Sequence, residues 1–160
     1  FLKNSAFPWP WPAETANMSS ETLWTQAATK CLGRVEDAWQ AVLRHERDSG
    51  HITKQHLKKV ASAIKDLSGV MRVDQPIDCF DDEDREDFNT ALEMLRDRDI
   101  QGSGRECEAL MDRDLSSDLL IRACCLRAHL WALELEQWLQ DVPHFDPGTQ
   151  KMAKMAVHCL

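Results

Sequence analysis

The chain has 160 residues, enough for one domain with a single core. Apolar residues make up 43%, with six Trp, five Phe and no Tyr, so the composition is that of a globular chain and not a disordered one. A formal charge of −8 argues against a nucleic-acid partner, and no apolar run approaches the roughly 18–20 residues of a membrane span.

Residues 1–18 form a Pro/Trp-rich arm, and residues 19–160 are expected to make up the folded domain. Pro8, Pro10 and Pro12 alternate with Trp9 and Trp11, which forbids helix and favours an extended backbone. Such an arm either packs in cis over a groove between helices or serves as the ligand of a partner's aromatic groove. FLKNSAFPWPWP lacks the apolar run of a signal peptide. The chain opens on Phe and ends on Leu within a helical pattern, which reads as an excised or processed piece.

The first helix is predicted over 20–47. Trp24, Ala28, Cys31, Val35, Ala38 and Val42 recur at steps of four and three, with Leu32, Trp39 and Leu43 widening the seam. Gly33 within it reads as a site of close approach by a neighbour. A second helix runs from a Thr53 N-cap to Leu67, where Ser68-Gly69 is expected to close it. The acidic run DDEDRED at 81–87 opens a third, since acids in a first turn complement the helix dipole. Gln101-Gly102-Ser103-Gly104 is expected to break the chain, with Ser103 and Glu106 as the capping box of a short fourth helix.

The central element is predicted over 117–142. Leu120, Cys124, Trp131, Leu135, Trp138 and Val142 form one apolar seam, and Leu119, Ala123, Leu126, Leu130 and Leu133 form a second beside it. Arg122, Arg127, Glu134 and Gln137 are left a narrow polar strip. A helix apolar over most of its circumference is surrounded by other elements. Asp146-Pro147 then caps a last helix with Met152, Met155, Ala156 and Cys159 on its face. The prediction is an all-α, single-domain bundle of five to six helices around this central one.

Function must be sought in surface patterns, because no catalytic constellation is legible and no cofactor is implied. The six cysteines could form three disulfides. However, Cys31, Cys107, Cys124 and Cys159 fall on apolar faces, which favours reduced thiols and a cytoplasmic or nuclear protein. The vicinal pair Cys124-Cys125 reads as one buried and one partly exposed thiol. No CxxC or HxxxH pattern marks zinc. From Asp97 onward the letters resemble an EF-hand calcium loop, with Asp97, Asp99, Gln101 and Glu108 at positions one, three, five and twelve and Gly102 at six. Gly104 departs from the pattern at position eight, and a helix–turn–helix explains the same letters.

A basic segment, Arg44, Arg47, Lys54, Lys58, Lys59 and Lys65 with interleaved His45, His51 and His56, balances the acidic run. The expectation is a non-catalytic interaction domain, a scaffold or adaptor that docks partner helices or peptides. Trp9, Trp11, Arg44, Arg47, Lys54, Lys58 and Lys59 are its candidate contacts, and a groove between the first and terminal helices is its candidate seat. The alternatives are a secreted, disulfide-bridged helical ligand or effector and a degenerate EF-hand-like calcium binder. Oligomeric state is not legible.

Overall fold

In a computed structural model of the protein, residues 23–77 and 82–158 are described, with side chains from 27 onward. They form six helices: α1 (Leu23–Ser49), α2 (Lys54–Met71), α3 (Glu83–Arg96), α4 (Ile100–Met111), α5 (Ser117–Asp141) and α6 (Pro147–His158). No strand occurs among the described residues, so the all-α bundle holds. The arm with Trp9 and Trp11 lies outside them, as do Asp81, Cys79 and Cys159 and the side chain of Trp24.

α5 is the shared wall. α1 packs on α2 and α2 on α5, while α3 packs on α4 and α4 on the other side of α5. Two apolar clusters result. The larger one joins Val35, Trp39 and Val42 of α1, Leu57, Val60, Ile64 and Leu67 of α2, and Trp131, Leu135 and Leu139 of α5, and reaches Ala153 and Val157 of α6. The smaller one joins Phe88, Ala91 and Leu92 of α3, Cys107 and Leu110 of α4, and Leu119, Leu126 and Leu130 of α5. The two seams of α5 therefore serve two different cores, which is what two apolar stripes on one helix require. Ser116 caps α5, its hydroxyl accepting from the Leu119 N–H at 3.4 Å.

Several expectations are corrected. Arg127 is not on a polar strip: it is 7% exposed, its Nε donating at 3.0 Å to the carboxylate of Glu108 on α4. α2 does not close at Ser68-Gly69. It continues to Met71, and Arg72 in the left-handed conformation (φ 51) provides the cap, its N–H directed to the carbonyls of Gly69 and Ser68. Ser68 is buried instead, its hydroxyl donating to the Ile64 carbonyl. Gly33 is exposed, and nothing lies within 4 Å of where its Cβ would be, so no neighbour approaches it closely.

The break expected at 101–104 is also absent. The cap is Asp99, which accepts from the Gly102 N–H at 2.9 Å, so the cap lies four residues before Ser103 and the helix starts at Ile100. Ser103 is then an interior residue of α4. Its hydroxyl is buried and donates at 2.7 Å to the Ala91 carbonyl, tying α4 to α3. A Cβ at Gly102 would run into the Asp99 carboxylate, so glycine here allows the capping side chain to fold over the first turn. In α6, Met152 and Met155 are exposed (46% and 53%), and Ala153, Ala156 and Val157 face the core in their place.

Candidate partner-binding cleft

α6 meets the α1–α2 corner through polar links between small apolar contacts. Asp146 starts the helix: its Oδ1 accepts from the Thr149 N–H at 2.8 Å, and that backbone bond holds its carboxyl below the usual carboxylate range. Pro147 follows at the first helical position, where a missing N–H costs nothing. One turn on, the side-chain amide of Gln150 grips the backbone of Ile52 twice. It accepts from the Ile52 N–H at 2.9 Å and donates to the Ile52 carbonyl at 2.7 Å. At the far end His158 Nε2 lies 2.7 Å from the Glu46 carboxylate on α1. Lys54 on α2 reaches the other way, donating to the Val142 carbonyl at the end of α5 at 3.0 Å.

Between these links the surface is concave. A cleft of about 620 Å3 is lined by Glu46 and His51 from the α1–α2 corner, by Phe145, and by Pro147, Gln150, Lys151, Lys154, Met155 and His158 of α6. Phe145 is half-buried and tilted against Trp138, with ring centres 5.5 Å apart, so its position is set by the end of α5. The exposed surface of the lining is mostly apolar, although only Phe145, Pro147 and Met155 of its residues are apolar in type. Met152 and Met155 are the exposed large hydrophobic residues of the described chain, and both sit on this helix.

The candidate residues nominated by sequence fall elsewhere. Trp9 and Trp11 lie outside the described residues. Arg44, Arg47, Lys58 and Lys59 are exposed, and Lys54 is engaged with Val142. They do not share one face. At about 100° per residue, Lys54, Lys58 and Lys65 run along the α5-facing edge of α2, where Lys65 pairs with Glu136 at 3.1 Å. Lys59 and His56 point to the α1 edge, where His56 stacks on His45 with ring centres 4.7 Å apart and its ring meets the Thr53 hydroxyl. Burial first, then His45 and Lys59, hold the His56 ring below the ordinary histidine pKa. Of the interleaved histidines only His51 lines the cleft.

The calcium pattern is taken apart by the helix that begins at Ile100. Asp97 caps the C-terminus of α3, Asp99 caps α4, Gln101 is helical, and Glu108 is bound to Arg127 two turns away. Asp99 and Gln101 instead line a second cleft of about 460 Å3 against Glu134, Gln137, Trp138 and Asp141 of α5. Among the described residues no group of three or more His, Cys, Asp and Glu side chains is placed to hold a metal ion.

The four described cysteines, Cys31, Cys107, Cys124 and Cys125, are all buried and unbridged. Neither Cys124 nor Cys125 is therefore the partly exposed thiol expected of that pair. Burial pushes the Cys107 thiol up to about 12 against the pull of Arg127, and raises Cys125 further still. Both stay protonated, and a protonated thiol is a poor nucleophile. The acidic run is also spent locally. Asp82 caps α3 by accepting from the Asp84 and Arg85 N–H groups, and Arg113 bridges Asp84 at 3.0 Å and Asp87 at 2.7 Å.

Sequence reasoning reached the neighbourhood of the cleft, between the first and last helices, but not its residues. The available signal was Lys151, Lys154, Met155 and His158 at i, i+3, i+4 and i+7, a mixed stripe that competes with the Ala153–Ala156–Val157 stripe on the opposite side. Comparison with protein-family models, with curated proteins and with solved structures gives no match for this chain. No described helix is long and apolar enough to cross a membrane.

Proposed function

We propose that the protein is a non-catalytic interaction domain that docks a partner helix or peptide in the cleft between α1 and α6. The observation that carries the reading is the placement of Met155 and Phe145. A domain that buries its large apolar side chains thoroughly elsewhere leaves Met152 and Met155 exposed on one helix, and Met155 lines a concave surface that is mostly apolar. Gln150 and the His158–Glu46 contact support it by holding both walls of the cleft in place before any partner arrives, which lowers the ordering cost of binding. The buried, protonated thiols favour a structural role for cysteine and a reducing compartment.

The test is peptide selection. A displayed random-peptide library is panned against the folded protein, and selected peptides are titrated while NMR signals of Phe145, Met155 and His158 are followed. Binding that shifts these signals and is lost in Met155→Asp supports the reading. Failure to select any binder, or binders that leave the cleft signals and the Met155→Asp affinity unchanged, overturns it.

A further inference from the structure

We infer that the ligand of this cleft is an acidic amphipathic helix, with apolar side chains seated against Phe145 and Met155 and carboxylates one turn apart meeting Lys151 and Lys154. The inference rests on the reading of the cleft as a docking site and adds the chemistry of its partner.

The argument is one of charge against background. The chain as a whole carries −8, so a surface chosen at random is acidic. The cleft runs against that background. Its lining holds Lys151 and Lys154, with the imidazoles of His51 and His158, against one carboxylate among the described residues, Glu46, which is hydrogen-bonded to His158. Some cations are paired within the fold, Lys65 with Glu136, Arg113 with Asp84 and Asp87, and Arg127 with Glu108, while Arg44, Arg47, Lys58 and Lys59 are exposed but do not line a cleft with an apolar anchor. Among the described residues neither Lys151 nor Lys154 is in an ion pair. Standing at i and i+3 beside Met155, they offer charge and an apolar anchor on one helical face.

A partner helix meets that geometry with its own i, i+3 and i+4 periodicity. An apolar residue enters the concavity while acids on either flank reach the lysines. Complementary charge of this kind sets partner choice and the rate of encounter. A flat anionic bilayer fits less well. It would be engaged by the protruding Met152 and Met155 but would not reach Phe145, which sits half-buried within the cleft.

The experiment uses the full chain and three synthetic helical peptides that share Leu anchors and differ only at the flanking positions, which carry Glu, Gln or Lys. Fluorescence polarisation is read at low and high salt, and co-sedimentation with phosphatidylserine vesicles is run beside it. The expected result is tightest binding by the Glu peptide. It should weaken roughly tenfold in the double variant Lys151→Glu/Lys154→Glu and several-fold as salt rises. Circular dichroism and melting of that variant establish that these exposed substitutions leave the fold intact. Equal binding of the Gln peptide, or preference for the Lys peptide, overturns the acidic-partner inference and leaves the docking reading standing. Binding to vesicles with no peptide bound overturns it in favour of a lipid surface. No binding by any peptide, with cleft signals unmoved, overturns the docking reading itself.

Discussion

Arg127 enters the interior as a cation, and its exposure is 7% while the Glu108 side chain that neutralises it remains 55% exposed. The two halves of the pair are therefore unequal. Removing the carboxylate strands a charge that has already lost its water, whereas removing the guanidinium returns Glu108 to solvent. Chemical denaturation should find Glu108→Ala destabilising by about 1–3 kcal/mol and Arg127→Met less costly. The reverse order would mean that Arg127 is hydrated from the Glu108 side. His129, two residues on, gives a titration to read. Burial first, then Lys65, hold its ring below the ordinary histidine pKa, against smaller opposite pulls from Asp74 and Glu136. Its enclosed Nδ1 has no hydrogen-bond partner among the described residues. A histidine with a depressed folded pKa contributes stability that is fully present above its unfolded value, near 6.5, and is lost as pH falls below that toward the folded value. The wild type should therefore lose stability between pH 7 and the folded pKa, at most about 1.4 kcal/mol per pH unit for this one group. His129→Gln should flatten that part of the curve, and an unchanged slope would assign the loss to other groups.

At the scale of elements, sequence period located every helix but not every boundary. The residues responsible are glycines and serines with two readings. Gly102-Ser103 reads as a breaker because glycine costs a helix about 1 kcal/mol. Asp99 caps over Gly102, and Ser103 finds an acceptor on a neighbouring helix, neither of which local spacing can reveal. Ser68-Gly69 misled in the same way, since the stop lies in the backbone of Arg72. The two stripes of α6 are equally periodic, and Ala153, Ala156 and Val157 are the residues it buries. These distinctions can be measured. Gly33, mid-helix with open space around it, should tolerate Ala with a gain of about 0.5–1 kcal/mol in thermal or urea melts. Gly102→Ala should show no such gain, because the new methyl displaces the Asp99 cap. Equal gains at both positions would show that the cap contributes nothing.

For the whole molecule, one wall shared by two cores makes the thiols reporters of global opening. Cys31 and Cys125 lie in or against the larger cluster, and Cys107 lies in the smaller. If the two cores open together, Cys107 and Cys125 should react with a thiol reagent at the same rate under native conditions, and that rate should track stability across the variants above. Faster labelling of Cys107 alone would make α3–α4 a unit that opens by itself. The candidate site was legible only as a location. A groove needs two walls, and sequence spacing describes one helix at a time: Glu46 and His158 are 112 residues apart and meet at 2.9 Å or less.

The order of helices along the chain has a consequence for synthesis. α1–α2 and α3–α4 are each local hairpins, complete before any of α5 exists, and about 70 residues separate the end of α2 from the end of α5. At roughly 5–20 residues per second, the first hairpin waits several seconds with Val60, Ile64 and Leu67 lacking the wall they will finally meet. During that interval the nascent chain offers two unfinished apolar faces.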